Sequence, residues 1–175
     1  MSADPGPYHN GRKIEIGPDG NLNIIVGDID NVEDPKKIRE EPDGRARILR
    51  IGQQGEKPEP LLGEEPDLLG TYYAYGIRNG YGIDFDPISK ELWDTENGPT
   101  CGDEVNLVKP SFNRGWEKTQ GFPMSKQNNS LEDLENYGEK GTYSGPEVSI
   151  TVCQNRETYK RDHCKYRDVC EYCQS

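Results

Sequence analysis

Apolar side chains in this chain recur at every second residue over short runs, and each run stops at a tight turn. In KIEIGPDGNLNIIVGD, residues 13–28, Ile14 and Ile16 alternate with polar residues, Gly17-Pro18-Asp19-Gly20 carries turn chemistry, and Leu22, Ile24 and Val26 resume the period of two. GIDFDPISKELWDTENG, 82–98, repeats the plan, with Ile83 and Phe85 before Asp86-Pro87 and Leu92 restarting the pattern after it. Successive strand side chains face opposite sides, so this period with Gly/Pro punctuation specifies antiparallel hairpins. RARILRI, 45–51, and EVNLVKP, 104–110, are further strand candidates, the second stopped by Pro110. No segment before residue 130 carries a helical stripe; LEDLENYG, 131–138, has Leu131 and Leu134 at helical spacing and a Gly stop.

The turn prolines Pro18 and Pro87 stand 69 residues apart, longer than the roughly 40 to 50 of common propeller repeats. The excess falls in the Pro/Glu-rich stretch 56–69. Hairpins recurring at long period suggest an all-β chain of propeller blades joined by long loops. Leu, Ile, Val and Phe make up only 32 of 175 residues, under the roughly 20% below which charged chains struggle to bury a core. Ten Tyr, two Trp and 20 Gly accompany them, a composition suited to loop-rich β structure whose edges want partners.

A formal charge of −11 repels nucleic acid and acidic membrane surfaces, which leaves neutral small molecules and divalent cations as the natural ligands. No run of about 18 apolar residues occurs, so no membrane insertion is expected. The start, MSADPGPYHNGRK, lacks the apolar segment of an export signal. Four of five cysteines (Cys153, Cys164, Cys170 and Cys173) lie in the last 23 residues, which is no disulfide framework for a domain. The division expected is therefore one domain over 1–152 and an unstructured Cys-rich tail over 153–175. Cys170-x-x-Cys173 with His163 and Cys164 offers four zinc ligands, but adjacent His163 and Cys164 do not converge easily on one tetrahedral ion. An out-of-frame read-through would give the same abrupt change of composition.

The run YAYGIRNGYGIDFDPISKELWDTENGPTCGDEVNLVKPSFNRGW, from Tyr73 to Trp116, resembles the signature region of the glucose/sorbosone dehydrogenase family. There an RN turn, a GxxFDP hairpin, an ENGP loop, a DExN strand and a GNYGW close follow in the same order. HNGRKIEIGPDGNLNIIVGD, 9–28, resembles the family's earlier block HNGGKIxIGPDGxLYxxxGD, and with ARILRI the likeness covers residues 8 to 123. It implies a six-bladed β-propeller, of which this chain would hold about two blades. It further implies pyrroloquinoline quinone (PQQ) and calcium as cofactors, an aldose sugar as substrate, an external electron acceptor and an extracytoplasmic location.

The resemblance assigns roles that the residues can fill. His9 matches the catalytic base that takes the sugar hydroxyl proton, a task suited to a ring that titrates near neutrality. Asp28 matches the acid that orients it. Read alone, His9 would be a histidine near the terminus and Asp28 a turn former after Gly27. Arg78 and Asn79 match the pair that holds the cofactor, a guanidinium fork being well matched to planar carboxylates. Gly98 and Pro99 match the loop whose main-chain carbonyls reach the cofactor-bound calcium. Glu104 is the candidate for a second, structural calcium, because Asp103 beside it must face the other side of a strand.

Departures stand beside these matches. Arg12 replaces a small Gly near the base, Asn23 replaces a strand Tyr, and Phe112 and Arg114 turn the closing pattern into FNRGW. The expectation is thus a fragment of a PQQ-dependent aldose dehydrogenase, inactive alone. The alternatives are a non-catalytic calcium-binding propeller and a truncated remnant with an interaction role only.

Overall fold

The computed structural model describes residues 8–11, 13–29, 44–62, 68–98, 102–116, 121 and 142–150. Among them are ten short strands and one 3-10 turn, Leu68–Thr71, with no α-helix. In the first sheet β1 (Ile14–Ile16), β2 (Leu22–Val26), β3 (Arg47–Ile51) and β4 (Tyr72–Tyr75) form an antiparallel meander. The second sheet holds β5 (Gly80–Phe85), β6 (Leu92–Glu96) and β7 (Asp103–Val108), closed by β10 (Val148–Ile150) against β7. Two bridges extend the first sheet, β8 (Phe112–Asn113) running parallel to β4 and β9 (Thr142–Tyr143) parallel to β8.

Both predicted hairpins form. Gly20 N–H donates to Gly17 O at 2.9 Å and Gly17 N–H to Asn21 O at 2.8 Å, which sets Ile16 opposite Leu22. In the other hairpin the Asp86 carboxylate accepts from the N–H groups of Ile88 and Ser89 at 2.8 and 2.6 Å, an Asx-type turn that sets Phe85 opposite Leu92. Each hairpin supplies the first two strands of a four-stranded antiparallel arrangement, β1 to β4 within the six-stranded first sheet and the whole of the second, so the repeat seen in the sequence is a repeat of blades. The helical candidate at 131–138 and the tail beyond residue 150 lie outside the described residues.

The core is the seam between the sheets. Ile25, Ile48 and Ala74 of the first meet Ile83, Leu92 and Val108 of the second, each at most 2% exposed. Burial on this scale contributes about 1.5–3 kcal/mol for each large aliphatic side chain. On the far side of the first sheet Leu49, Tyr72 and Tyr75 pack with Leu62. Buried on both faces, β3 needs apolar residues at consecutive positions, which is why RILRI does not alternate cleanly. The alternation of β1 means something else than expected: Ile14 and Ile16 are 59% exposed. β1 is an edge strand, and Glu15 faces β5 instead, bridged by Lys13, whose Nζ lies 3.0 Å from Glu15 and 3.5 Å from Asp84.

Candidate active site

The ends of β2, β4 and β6 come together at one rim, and main-chain hydrogen bonds tie them. Asp28 N–H donates to Arg78 O at 2.8 Å, Ala46 N–H to Gly27 O at 2.9 Å, and Trp116 N–H to Gly76 O at 3.2 Å. Gly27 makes the approach feasible. A Cβ there would stand 2.2 Å from the His9 carbonyl oxygen and 2.9 Å from that of Arg78, so only a residue without a side chain lets three backbones meet. Gly11, at φ 71°, lets the chain after His9 pass over β2, within 2.2 Å of where its own Cβ would meet Ile25 O.

His9 and Asp28, 19 residues apart, are brought into contact, with His9 Nδ1 lying 2.6 Å from Asp28 Oδ1. Their side chains are 13% and 5% exposed. A carboxylate at that distance accepts Nδ1–H, which leaves Nε2 of the neutral ring as a proton acceptor. The other Asp28 oxygen accepts from Trp116 Nε1–H at 2.8 Å. Above the Trp116 ring sits the Arg78 guanidinium, 5.3 Å from the centroid, a cation–π contact. Arg78 also donates through Nη1 to Asn97 O at 2.7 Å, and its main-chain N–H donates to Glu96 at 2.8 Å. Asn79 adjoins it, its carbonyl accepting from Asn97 N–H at 3.1 Å. His9, Asp28, Arg78 and Asn79 therefore share one rim.

The calcium candidates divide. Gly98 lies on the same rim, its N–H donating to Asp103 Oδ1 at 2.8 Å, while Pro99 lies outside the described residues, as does Arg12. Asp103 is exposed and Glu104 buried, on opposite faces of β7. Glu104 accepts from Arg114 Nε at 2.5 Å and more closely from Arg114 Nη2 and Gly121 N–H. A cation at the Glu104 carboxylate would compete with that guanidinium. Among the described residues no group of three or more His, Cys, Asp and Glu side chains is arranged to hold a metal.

Behind the rim lies a cluster of which the sequence reading singled out Glu104 alone. Asp94 and Glu96 of β6 and Glu104 and Asn106 of β7 point into the seam, each at most 2% exposed. Asn106 Nδ2 donates to Asp94 at 2.8 Å and to Glu96 at 3.3 Å. Burial pushes Asp94 up to about 7, and burial together with the charge of Asp94 holds Glu96 well above the usual carboxylate range. Arg114, a departure from the family pattern, is the buried cation that pairs with Glu104.

The comparisons with known proteins agree with this architecture. The aldose sugar dehydrogenase YliI of Escherichia coli K12 is 32% identical over 113 residues, which are 62% of this chain and 29% of that protein. The quinoprotein glucose dehydrogenase B of Acinetobacter calcoaceticus is 26% identical over 161 residues, covering 75% and 33% respectively. The structure of the PQQ-bound aldose sugar dehydrogenase of Streptomyces coelicolor superposes with a TM-score of 0.62 at 25% identity, over 86% of this chain and 38% of that one. The chain thus spans about a third of the length of these relatives. A family model described as Glucose / Sorbosone dehydrogenase matches residues 1–149, and the chain, two blades of a six-bladed β-propeller, belongs to that family.

Proposed function

We propose that this chain carries the base and part of the cofactor site of a PQQ- and calcium-dependent aldose dehydrogenase. The observation that supports the reading most is the His9–Asp28 pair seated beside Arg78. His9 Nε2 takes the proton of the anomeric hydroxyl while Asp28 holds the ring and stabilises the charge that develops on it. Arg78 and Asn79 bind the carboxylates of PQQ. The donor set fits such a group, since a half-buried guanidinium over an indole face suits a planar polyanion. Gly98 and Pro99 would hold calcium through main-chain carbonyls, and Glu104 would hold a second cation only if Arg114 gave way. PQQ, when bound, would supply the acceptor for the hydride leaving the sugar carbon. An external acceptor would take up the electrons, in a reaction outside the cytoplasm.

The test is a version of the chain completed with the remaining blades. His9→Gln is expected to lower turnover by about two to four orders of magnitude with PQQ affinity nearly intact. Arg78→Ala is expected to weaken PQQ binding by about 1.5–3 kcal/mol, with partial rescue at high PQQ. The 175-residue chain alone, given PQQ and calcium, is expected to oxidise aldoses no faster than a control without protein, because it spans only about a third of the length of its relatives. A neutral His9→Gln would assign the base wrongly, and turnover by the isolated chain would refute its incompleteness.

A further inference from the structure

We propose that Trp116 is a positioning residue that sets the tautomer of His9 through Asp28 and, with its ring, steadies Arg78, so that one side chain orients both the base and the cofactor cation. The inference rests on the reading of His9 as the base. Trp116 is 4% exposed and comes from a segment 88 residues away from Asp28. Its turn is fastened to the end of β4: Arg114 N–H donates to Tyr75 O at 3.0 Å, Trp116 N–H to Gly76 O at 3.2 Å, and Gly115 N–H to the Asn113 side chain at 3.0 Å. The indole is thereby a fixed donor.

A carboxylate held at one oxygen can turn about its Cβ–Cγ bond, whereas one held at both oxygens has its plane defined. Trp116 Nε1–H on Oδ2 aims Oδ1 at His9 Nδ1, which keeps the proton on Nδ1 and Nε2 open toward substrate. If the indole N–H is removed, Asp28 loses that aim, and the ring drifts toward the Nε2–H form, which cannot accept the hydroxyl proton. The indole face is a separate lever, since the guanidinium lies over it.

Two variants separate the levers. Trp116→Phe deletes the N–H and keeps a ring, while Trp116→Leu deletes both. The chain has two histidines, His9 and His163, so imidazole 15N spectra at alkaline pH, with His163→Gln for assignment, report the His9 tautomer directly. In the parent, His9 is expected as Nδ1–H. In both variants the Nε2–H form is expected to appear, with the amide spectrum of β5 to β7 unchanged. In the version carrying the remaining blades, Trp116→Phe is expected to lower kcat by about ten- to a hundredfold with KM and PQQ affinity little changed, and Trp116→Leu to weaken PQQ binding by about tenfold as well. An unchanged His9 tautomer in folded Trp116→Phe overturns the proposal. If the tautomer shifts but the parent with all its blades binds no PQQ, the dehydrogenase reading fails while the positioning of His9 stands. Should Trp116→Phe not fold, the parent decides through Asp28→Asn: the downfield indole proton of Trp116 must move upfield, and its failure to move overturns the proposal.

Discussion

His9 sits at φ 58°, in the left-handed region that residues other than glycine seldom occupy. Such a conformation costs on the order of 1–3 kcal/mol and persists only where neighbours hold it. Here the Asp28 carboxylate holds the ring and Gly27 admits the backbone. Gly27→Ala must push either the His9 or the Arg78 carbonyl away, and neither is the far end of a flexible side chain. The variant is expected to lose about 1–3 kcal/mol of stability in urea unfolding and to loosen the His9–Asp28 bond in the same imidazole spectra. A full-strength bond and unchanged stability would show that the rim yields freely. The pairing of His9 with Asp28 was legible only through the family resemblance, whose first block begins with one and ends with the other. Trp116 was not, since an indole 88 residues distant leaves no local mark in the sequence.

At the scale of the strand, Leu92 restarted the apolar pattern in the sequence, and in the structure Asp94 and Glu96 share its face of β6, as a period of two requires. What the period left open was which face is wet. Acidic residues would ordinarily take the solvent side, yet Leu92 sits in the seam and carries both acids inward with it. Likewise YYAY of β4 lacks clean alternation, because burial on both faces erases the signal. The inward acids make stability depend on pH. Asp94 is raised by burial to about 7 in the fold from a usual value of 3.8, so between those values the folded chain keeps a proton that the unfolded chain has released. Stability from this group is therefore greatest at the acid end of the window and falls as pH rises toward 7, by a few kcal/mol in all; Glu96 acts in the same sense. The thermal midpoint is expected to be higher near pH 5 than near pH 7.5, and Asp94→Asn is expected to flatten much of that slope. A midpoint that climbs over this range would mean that the acids are charged at acid pH and satisfied by Arg114.

For the whole molecule, the repeat of hairpins was enough to read blades, while their packing against one another was not, because the seam is built from contacts between distant segments such as Ile25 with Ile83. That seam divides the proposed machinery. Asp28 follows β2 of the first blade, whereas Arg78 leads into β5 and is anchored by Glu96 and Asn97 on the second. The hydrogen bond from Asp28 N–H to Arg78 O spans the two. The amide proton of Asp28 thus serves as a clock for blade separation. If the blades part before they melt, this proton exchanges in a subglobal opening, at lower denaturant than the amides within β2 and β3, and the site comes apart while both sheets remain folded. Exchange of Asp28 only in step with those strands would make the pair of blades a single cooperative unit, with a site as durable as its core.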